Sequence, residues 1–379
     1  MSRSRKNKYD SEKEVTLKRM DIKAYSDEDA FPVYIPSQNV AGKEKKKKKK
    51  VLLILLLIFL MLIFGAGGAF FYLQYQGQQN LVDYDDVTVG SIDEAIAQND
   101  GKTVTYNGKT YRLNENITSI ACLGVDKYNL GGYGQKIGRA GQADTNMVLV
   151  IDTQTGKVTV ITIPRDLMVD VNQYTVKGEY VGVKNMQLCL AYAYGDGKHT
   201  SCLNSVKSIQ RVLFGLPVNS YISLDMEGIG PINDSVGGVT VVSPETICGF
   251  VAGQSVTLYG QRAVDFVQDR GDDVDASMRR MQRQMVYVRA FASSAVRNAK
   301  NDFGIITRLY NTATKYSCTN VDLSAVTYLA TTLISKGVTG LETVSVPGEM
   351  KMGTKYAEFY MDTRATYEMI LEVFYNEVV

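Results

Sequence analysis

Arginines are concentrated in one segment of the chain, where they could bind a phosphate group. Four arginines and one glutamine lie close together, namely Arg270, Arg279, Arg280, Arg283 and Gln284. At helical spacing, Arg280 shares one face with Arg283 and Gln284. Such a face suits phosphate or pyrophosphate, because each guanidinium presents paired N–H donors to anionic oxygens. The alternative is a solvent-exposed basic face that pairs with nearby aspartates, namely Asp269, Asp272, Asp273 and Asp275.

Two more charged residues lie at the ends of predicted strands. Arg165 follows an apolar run closely, and Asp144 stands three residues before another. Ligands tend to bind beyond the ends of strands in sheets of α/β domains. Two carboxylates, Asp126 and Asp144, could hold a magnesium ion that bridges phosphate oxygens, because this ion prefers oxygen ligands.

A layered domain of strands and helices must position these side chains. Apolar runs at residues 147–152 and 158–163, separated by the turn Thr155-Gly156, predict adjacent buried strands. Further strands are predicted at 221–224, 239–242 and 344–346, helices at 205–214, 277–298 and 363–375, an amphipathic stretch at 256–267, and two more helical stretches after residue 298. A weaker signal around Asn107-Gly108 predicts a hairpin. Strands that alternate with helices predict an α/β domain with a central sheet and helices on both faces.

Residues 51–73 predict one transmembrane helix. They contain no charged side chain, and as a helix they would span about 34 Å, enough to cross a hydrocarbon layer of about 30 Å. Six lysines, residues 45–50, stand directly before this segment, and the positive-inside rule then places the N-terminus in the cytoplasm and the main domain outside the cell. The alternative is a cleaved signal peptide, for which the preceding charged region is unusually long. Residues 1–50 are expected to be a disordered cytoplasmic tail whose lysines could also touch anionic lipid, and residues 74–115 a stalk with a small accessory segment.

The composition excludes several classes of site. Residues 1–50 hold 15 of the 42 basic residues but only 8 of the 40 acidic ones, so the main domain is mildly acidic and a nucleic-acid partner is not expected. His199 is the single histidine and is expected in a solvated loop, so histidine-based catalysis is not expected. The five cysteines have no CxxC spacing typical of zinc sites. In an extracellular domain some could pair, and a clip between Cys189 and Cys202 is one option.

Several short strings taken together resemble the LytR-CpsA-Psr family of bacterial cell-wall proteins. The strings are LGVD at residues 123–126, ADTNM at 143–147, ITIPRD at 161–166, DSVGGV at 234–239, the stretch 258–270, and RMQRQ at 280–284. The resemblance covers roughly residues 117–300. It implies a single-pass protein with an extracellular three-layer α/β/α domain around a central mixed sheet, here expected at residues 116–300, with residues 301–379 as a helical extension.

The resemblance also implies a reaction and a set of residues. Members of the family are similar to phosphotransferases that move an anionic glycopolymer, such as teichoic acid or capsular polysaccharide, from a polyprenyl pyrophosphate carrier to peptidoglycan. The family's magnesium-binding aspartates fall on Asp126 and Asp144. Its pyrophosphate-binding residues fall on Arg165, Arg270, Arg280, Arg283 and Gln284. A carboxylate such as Asp275 is the expected acceptor of the proton from the attacking hydroxyl.

This chain departs from the family pattern at two positions. Gln142 and Gln268 stand where family members commonly have arginine, so two expected phosphate contacts are missing. We expect the lipid tail in an apolar groove between the sheet and its helices, with the pyrophosphate at the mouth. The alternative hypothesis is a domain that binds the lipid-linked precursor without turning it over, as a sensor or scaffold.

Overall fold

A computed structural model describes residues 67–81, 88–125, 137–269 and 276–378 of the chain. All of them belong to one unit, residues 63–379. The predicted cytoplasmic tail, residues 51–66 of the predicted membrane segment, and the candidate site residues Asp126, Arg270 and Asp275 lie outside the described residues. Within the described ranges, none of the helices combines the length and the apolar character needed to cross a membrane.

The described strands are β1 (Ile96–Gln98), β2 (Thr103–Tyr106), β3 (Lys109–Leu113), β4 (Ile117–Val125), β5 (Ala143–Asp152), β6 (Lys157–Ile163), β7 (Met168–Tyr174), β8 (Tyr180–Gln187), β9 (Ser220–Asp225), β10 (Val239–Val242), β11 (Ser255–Leu258), β12 (Ser317–Thr319), β13 (Gly340–Ser345), β14 (Gly348–Met352), β15 (Ala357–Met361) and β16 (Tyr375–Val378). The α-helices are α1 (residues 67–81), α2 (His199–Val212), α3 (Ile229–Ser235), α4 (Gln261–Gln268), α5 (Ala276–Asn301), α6 (Gly304–Ala313), α7 (Leu323–Lys336) and α8 (Thr363–Phe374). Two 3-10 helices cover Leu188–Tyr194 and Met226–Gly228.

The central sheet has six strands in the order β12-β9-β4-β5-β6-β13. It is mixed, because β4 pairs with β9 and β6 with β13 in parallel, whereas the pairs β4/β5, β5/β6 and β9/β12 are antiparallel. The predicted α/β domain with a central mixed sheet is therefore confirmed. The predicted adjacency of residues 147–152 and 158–163 is also confirmed, as the antiparallel pair β5/β6.

Helices pack against both faces of this sheet. Successive side chains of a strand point to opposite faces, and in β4 Ile120 and Ala121 belong to two different apolar clusters. Ile120 packs in a cluster with Leu81 of α1 and Leu329 of α7. Ala121 belongs to the larger cluster, which includes Ile370 of α8 and residues of α2.

A second, smaller core lies outside the central sheet. The antiparallel pair β10/β11 packs with α4 and α5 through buried side chains that include Val239, Leu258 and Phe266. The amphipathic stretch predicted at 256–267 is in fact a strand followed by a helix. Gly260 turns the chain between them with a positive φ of 48°, a conformation that glycine adopts with little steric cost.

The structure differs from the sequence analysis at two places. The segment between the predicted strand 158–163 and the predicted helix 205–214, to which the sequence analysis assigned no element, contains the hairpin β7/β8 and the first 3-10 helix. This segment has no continuous apolar run, because in β7 the exposed Asp170 stands between the buried Val169 and Val171. His199, expected in a loop, is the exposed first residue of α2, and its Nδ1 lies 2.7 Å from the hydroxyl of Tyr221.

The C-terminal segment is more than the expected helical extension. Residues 301–379 contain α6, α7 and α8, but they also supply both edge strands of the central sheet, β12 and β13. The last strand, β16, pairs with β3 in a separate four-stranded sheet. That sheet contains the predicted hairpin β2/β3, in which Asn107 and Gly108 both have positive φ, as a tight two-residue turn requires.

Candidate functional site

Arg165 and Asp144 meet because their strands are antiparallel neighbours. Asp144 is the second residue of β5, and Arg165 follows the last residue of β6 after Pro164. The start of β5 therefore lies beside the end of β6, where Asn146 pairs with Ile163. Arg165 Nη1 lies 2.5 Å from Asp144 Oδ1. Arg165 and Asp144, each expected at the end of a strand, thus lie against each other in the fold.

Three further groups hold the guanidinium of Arg165. Its Nη2 donates to Gln142 Oε1 at 2.9 Å and lies 3.6 Å from the sulfur of Cys189. Its Nε lies 3.4 Å from Asp166 Oδ1. Burial acts to lower the pKa of Arg165, but Cys189, Asp144 and Asp166 outweigh it and raise that pKa. Arg165 is therefore a fixed, half-buried cation.

Burial raises the pKa of two neighbours of Arg165, whereas it acts to lower the pKa of Arg165 itself. It raises the pKa of Asp166, although Arg165 and Arg280 act to lower it. It also raises the pKa of the Cys189 thiol to about 11, again against the effect of Arg165. Cys189 is accordingly a neutral thiol near neutral pH, and it supports Arg165 as a packing partner.

A polar cavity of about 860 Å³ opens beside Arg165 and Asp144. It is lined by Gly141, Gln142, Asp144, Arg165, Cys248, Asp265, Gln268, Asp269 and Arg280. The two arginines come from sequence positions more than a hundred residues apart, so the fold brings Arg165 and Arg280 to one opening. Gln142 and Gln268, the two glutamines at positions where the resemblance implies arginine, also line this cavity.

An apolar groove of about 380 Å³ adjoins the polar cavity. Its walls come from β4, β5 and β9 of the central sheet and from α3, α4 and α5, with side chains such as Leu123, Ile222 and Phe291. Asp144, Gln268 and Arg280 line both spaces. A molecule with an apolar chain and an anionic head could therefore occupy both at once.

Two arginines near the start of α5, Arg280 and Arg283, lie in different surroundings. Arg280 lines both spaces, whereas Arg283 is fully buried. Arg283 Nε donates to the carbonyl of Phe266 at 2.8 Å, and its other donors bind Glu245 and the carbonyl of Asp269. Arg283 thus lines neither of the two spaces in this structure, contrary to its expected phosphate contact. It holds the C-terminal end of α4 instead.

Gln284 both contacts α4 and lines the apolar groove. Its side-chain amide donates to the carbonyl of Val267 at 3.0 Å, and the residue also lines the apolar groove. With Arg283 it ties α5 to the end of α4, directly before the segment that contains Arg270. Arg270, Asp275 and Asp126 lie outside the described residues, so their expected roles stay predictions.

The sequence analysis missed Glu245. Its carboxylate accepts from Arg279 Nε at 2.9 Å and also binds Arg283. One carboxylate therefore joins the loop after β10 to the first turns of α5, which carry Arg280. No local pattern marks Glu245, because its partners lie 34 and 38 residues away along the chain.

The structure shows all five cysteines as free thiols, so the clip considered between Cys189 and Cys202 is absent. The sulfur of Cys189 faces Arg165, whereas that of Cys202 lies 3.3 Å from the hydroxyl of Ser223. Among the described residues, no group of three or more histidine, cysteine or acidic side chains forms a metal cluster.

Two curated proteins are similar to part of this chain in sequence. The chain is 30% identical over 185 residues to a polyisoprenyl-teichoic acid–peptidoglycan teichoic acid transferase, TagU, of Oceanobacillus iheyensis, covering 48% of this chain and 52% of the relative. It is 23% identical over 258 residues to biofilm regulatory protein A of Streptococcus mutans, covering 65% of this chain and 60% of the relative. The chain thus spans about half to three fifths of the length of these relatives.

A solved structure and a family model match larger parts of the chain. The crystal structure of TagV from B. subtilis is similar in fold, with a TM-score of 0.52 at 18% identity, covering 68% of this chain and 95% of that one. The model of the LytR_cpsA_psr family matches residues 81–372. This match extends beyond residues 117–300 at both ends and includes both edge strands of the central sheet. The chain therefore belongs to the LytR_cpsA_psr family.

Proposed function

We propose that this protein is a phosphotransferase that moves a glycopolymer from a polyprenyl pyrophosphate carrier to peptidoglycan. The observation that carries the proposal is the shared lining of the two spaces: Asp144, Gln268 and Arg280 border both the polar cavity and the apolar groove. A polyprenyl pyrophosphate has the matching shape, an apolar chain joined to a diphosphate. The Oceanobacillus iheyensis relative is a polyisoprenyl-teichoic acid–peptidoglycan teichoic acid transferase, which supports the same substrate class.

Phosphoryl transfer needs mainly positioning and neutralisation of charge. Arg165 and Arg280 supply two guanidiniums at the mouth of the groove, and Arg165 is held rigidly by Asp144, Gln142 and Asp166. Donors fixed in this way stabilise negative charge without having to reorganise during the reaction. The attacking hydroxyl would come from a sugar of peptidoglycan, so no protein nucleophile is required, and Asp275 is the proposed acceptor of its proton.

A magnesium ion fits the residues at this mouth. Asp144 offers carboxylate oxygens at the border of both spaces. Asp126 follows Val125 directly in the chain, and Val125 pairs with Ala143, the neighbour of Asp144. Asp126 and Asp144 would hold the ion, which would neutralise negative charge on the phosphate oxygens.

We further propose that residues 51–73 anchor the protein in the cell membrane as one transmembrane helix, with the N-terminus in the cytoplasm and a three-layer α/β/α domain outside. The uncharged composition of this segment and the lysines before it support this arrangement. A polyprenyl carrier is itself a membrane lipid, so an anchored enzyme would meet it in the same bilayer.

A second candidate function is binding of the lipid-linked precursor without turnover. Gln142 favours it, because this neutral side chain stands where the family resemblance implies arginine and accepts a hydrogen bond from Arg165. The polar cavity then has fewer cations to stabilise a transition state. A bound diphosphate would still find Arg165 and Arg280.

The deciding experiment uses the full chain in detergent with magnesium. Lipid that co-purifies with it is identified by mass spectrometry, and a polyprenyl pyrophosphate glycolipid is then added together with peptidoglycan. Release of polyprenyl phosphate with polymer joined to peptidoglycan supports the transferase. Bound lipid without product supports the binder, and neither binding nor product contradicts both.

A further inference from the structure

Two cysteine thiols lie together in the interior, far along the chain from each other. Cys202 is on α2 and Cys318 is on β12, and both contact Ser223. Ser223 of β9 lies between the two segments. Its hydroxyl is 3.3 Å from Cys202 Sγ and donates to the carbonyl of Cys318 at 3.4 Å. Cys318 also pairs with Ser223 across the strands.

The pair can be reached from solvent on one side. A cavity of about 360 Å³ is lined by Cys318 together with Lys198 and His199. Cys202 does not line this cavity, and it is fully buried behind Cys318. The arrangement therefore has an outer and an inner thiol.

The surroundings distinguish the two thiols chemically. The neighbouring Cys202 lowers the pKa of Cys318, and Lys198 acts in the same direction, whereas burial and Asp196 act to raise it. The neighbouring Cys318 and then burial raise the pKa of Cys202. Cys318 lines the cavity and Cys202 does not, so Cys318 is the thiol that a reagent reaches first, and its thiolate is the attacking form.

We propose that Cys318 and Cys202 form a reactive dithiol that exchanges with low-molecular-weight disulfides and closes to an internal disulfide. The Cys318 thiolate attacks one sulfur of the reagent, the reagent's S–S bond breaks, and one reagent thiolate leaves. Cys202 loses its proton and attacks the Cys318 sulfur of the mixed disulfide, and the second reagent thiolate leaves. Two protein thiols are oxidised to one disulfide, and the reagent is reduced to two thiols.

The product would join an edge strand to a helix on one face of the sheet. Cys318 belongs to β12, which pairs only through a three-residue register with β9. A bond to α2 would close a loop of about 116 residues. Closing so long a loop lowers the conformational entropy of the unfolded chain. Oxidation should therefore stabilise the folded state, in which this edge is paired.

The test uses the purified, reduced full chain and oxidised glutathione as the probe. After acid quenching, free thiols are blocked with N-ethylmaleimide and the protein is digested with trypsin without reductant. Mass spectrometry should then find peptide 199–207 joined to peptide 316–336, since these contain Cys202 and Cys318. Oxidation should also raise the unfolding temperature by about 5 °C.

Two variants show the order of the steps. Cys202→Ser should accumulate glutathione on Cys318 without closing a disulfide, and its unfolding temperature should not rise on oxidation. Cys189→Ser is the matched control and should still give the joined peptides. The proposal is overturned if Cys202 and Cys318 both remain maleimide-labelled in the wild type, or if the wild type keeps glutathione on Cys318 without forming the joined peptides.

Discussion

At the scale of single residues, the central contact is the ion pair between Arg165 and Asp144. Arg165 has a protein partner on each side of its guanidinium, so it enters a complex already oriented. The same set of contacts explains why a change at Gln142 has consequences for Arg165. An arginine there would repel Arg165, whereas glutamine binds it.

Arg165→Ala should lower the rate of polymer transfer about a hundredfold, because one fixed donor to the developing charge is lost. The measurement is the turnover number with a polyprenyl pyrophosphate glycolipid and magnesium. Arg308→Ala is the matched control, since Arg308 forms an exposed ion pair with Asp302 that contributes little. Equal turnover in wild type and Arg165→Ala would remove Arg165 from the mechanism.

Arg280 and Arg283 should respond differently to truncation. Arg283→Ala should lower the free energy of unfolding by about 3 kcal/mol, because it breaks a buried ion pair and leaves Glu245 with one partner fewer. Arg280→Ala should lower turnover and change that free energy by less than about 1 kcal/mol, since Arg280 lines the cavities. Denaturant unfolding and the transfer assay together test this, and the reverse pattern would contradict our assignment.

At the scale of elements, α1 is docked on the folded domain through α7. Gln74 donates to the carbonyl of Thr327 at 3.2 Å and to the hydroxyl of Thr331 at 2.8 Å. Leu81 is buried at the end of α1. The expected stalk therefore begins as a packed helix, and if residues 51–73 cross the membrane, α1 joins the anchor to the domain.

Gly77 is the closest approach between these two helices, and its replacement should separate them. A Cβ at Gly77 would overlap the carbonyl of Ser324, whereas one at Gly68 meets nothing within 4 Å. Gly77→Ala should therefore lower the unfolding temperature by a few degrees, and Gly68→Ala should leave it unchanged or slightly higher because alanine favours helix. Calorimetry of the two variants checks this, and identical shifts would show that α1 is not docked in solution.

The N-terminus of α7 should depend on pH through Asp322. Partial burial acts to raise the pKa of Asp322, but hydrogen bonds from Ser324, Ala325 and Asn80 outweigh it and lower that pKa. An acid with a lowered pKa in the folded state stabilises above its unfolded pKa of about 4 and loses that contribution as the pH falls through its folded pKa.

Asp322→Ala should accordingly cost about 1 kcal/mol of unfolding free energy at pH 7, with a smaller difference from wild type below about pH 3. Urea unfolding at both pH values measures it. Asp322→Asn keeps a cap acceptor without the charge and should lose less at pH 7. A cost that is the same at both pH values would contradict a role for the ionised carboxylate.

At the scale of the whole molecule, the candidate site is made where separate parts of the fold converge. The groove uses three strands of the central sheet and also α5, whose own core is the smaller cluster with β10 and β11. The polar cavity joins the ends of β5 and β6 to the start of α5. Relative movement of the two cores would therefore change the site directly.

Filling the groove should discriminate between long and short lipid chains. Val288→Trp places a large ring among the groove-lining residues, so we expect KM to rise at least about tenfold for a long polyprenyl donor and little for a short-chain analogue. The matched control is Val242→Trp on the exposed face of β10. An equal KM for both donors in Val288→Trp would show that the lipid lies elsewhere.

Elements with strong local signals, and the kinds of side chain at the candidate site, could be predicted from the amino-acid sequence. The β5/β6 pair, the Asn107-Gly108 hairpin and the long helix α5 follow from apolar period, turn residues and helical spacing, which are local properties. The strings around Asp144, Arg165 and Arg280 likewise indicated a phosphate site and the family.

Features that depend on contacts between distant segments could not be predicted from local sequence. Both edge strands of the central sheet come from residues 301–379, where short segments become strands through pairing with partners far along the chain. Arg280 and Arg283 lie in different surroundings because of packing: one lines a cavity, whereas the other is buried and binds the half-buried Glu245. Local sequence fixes which groups are available, whereas long-range packing fixes which of them face a ligand.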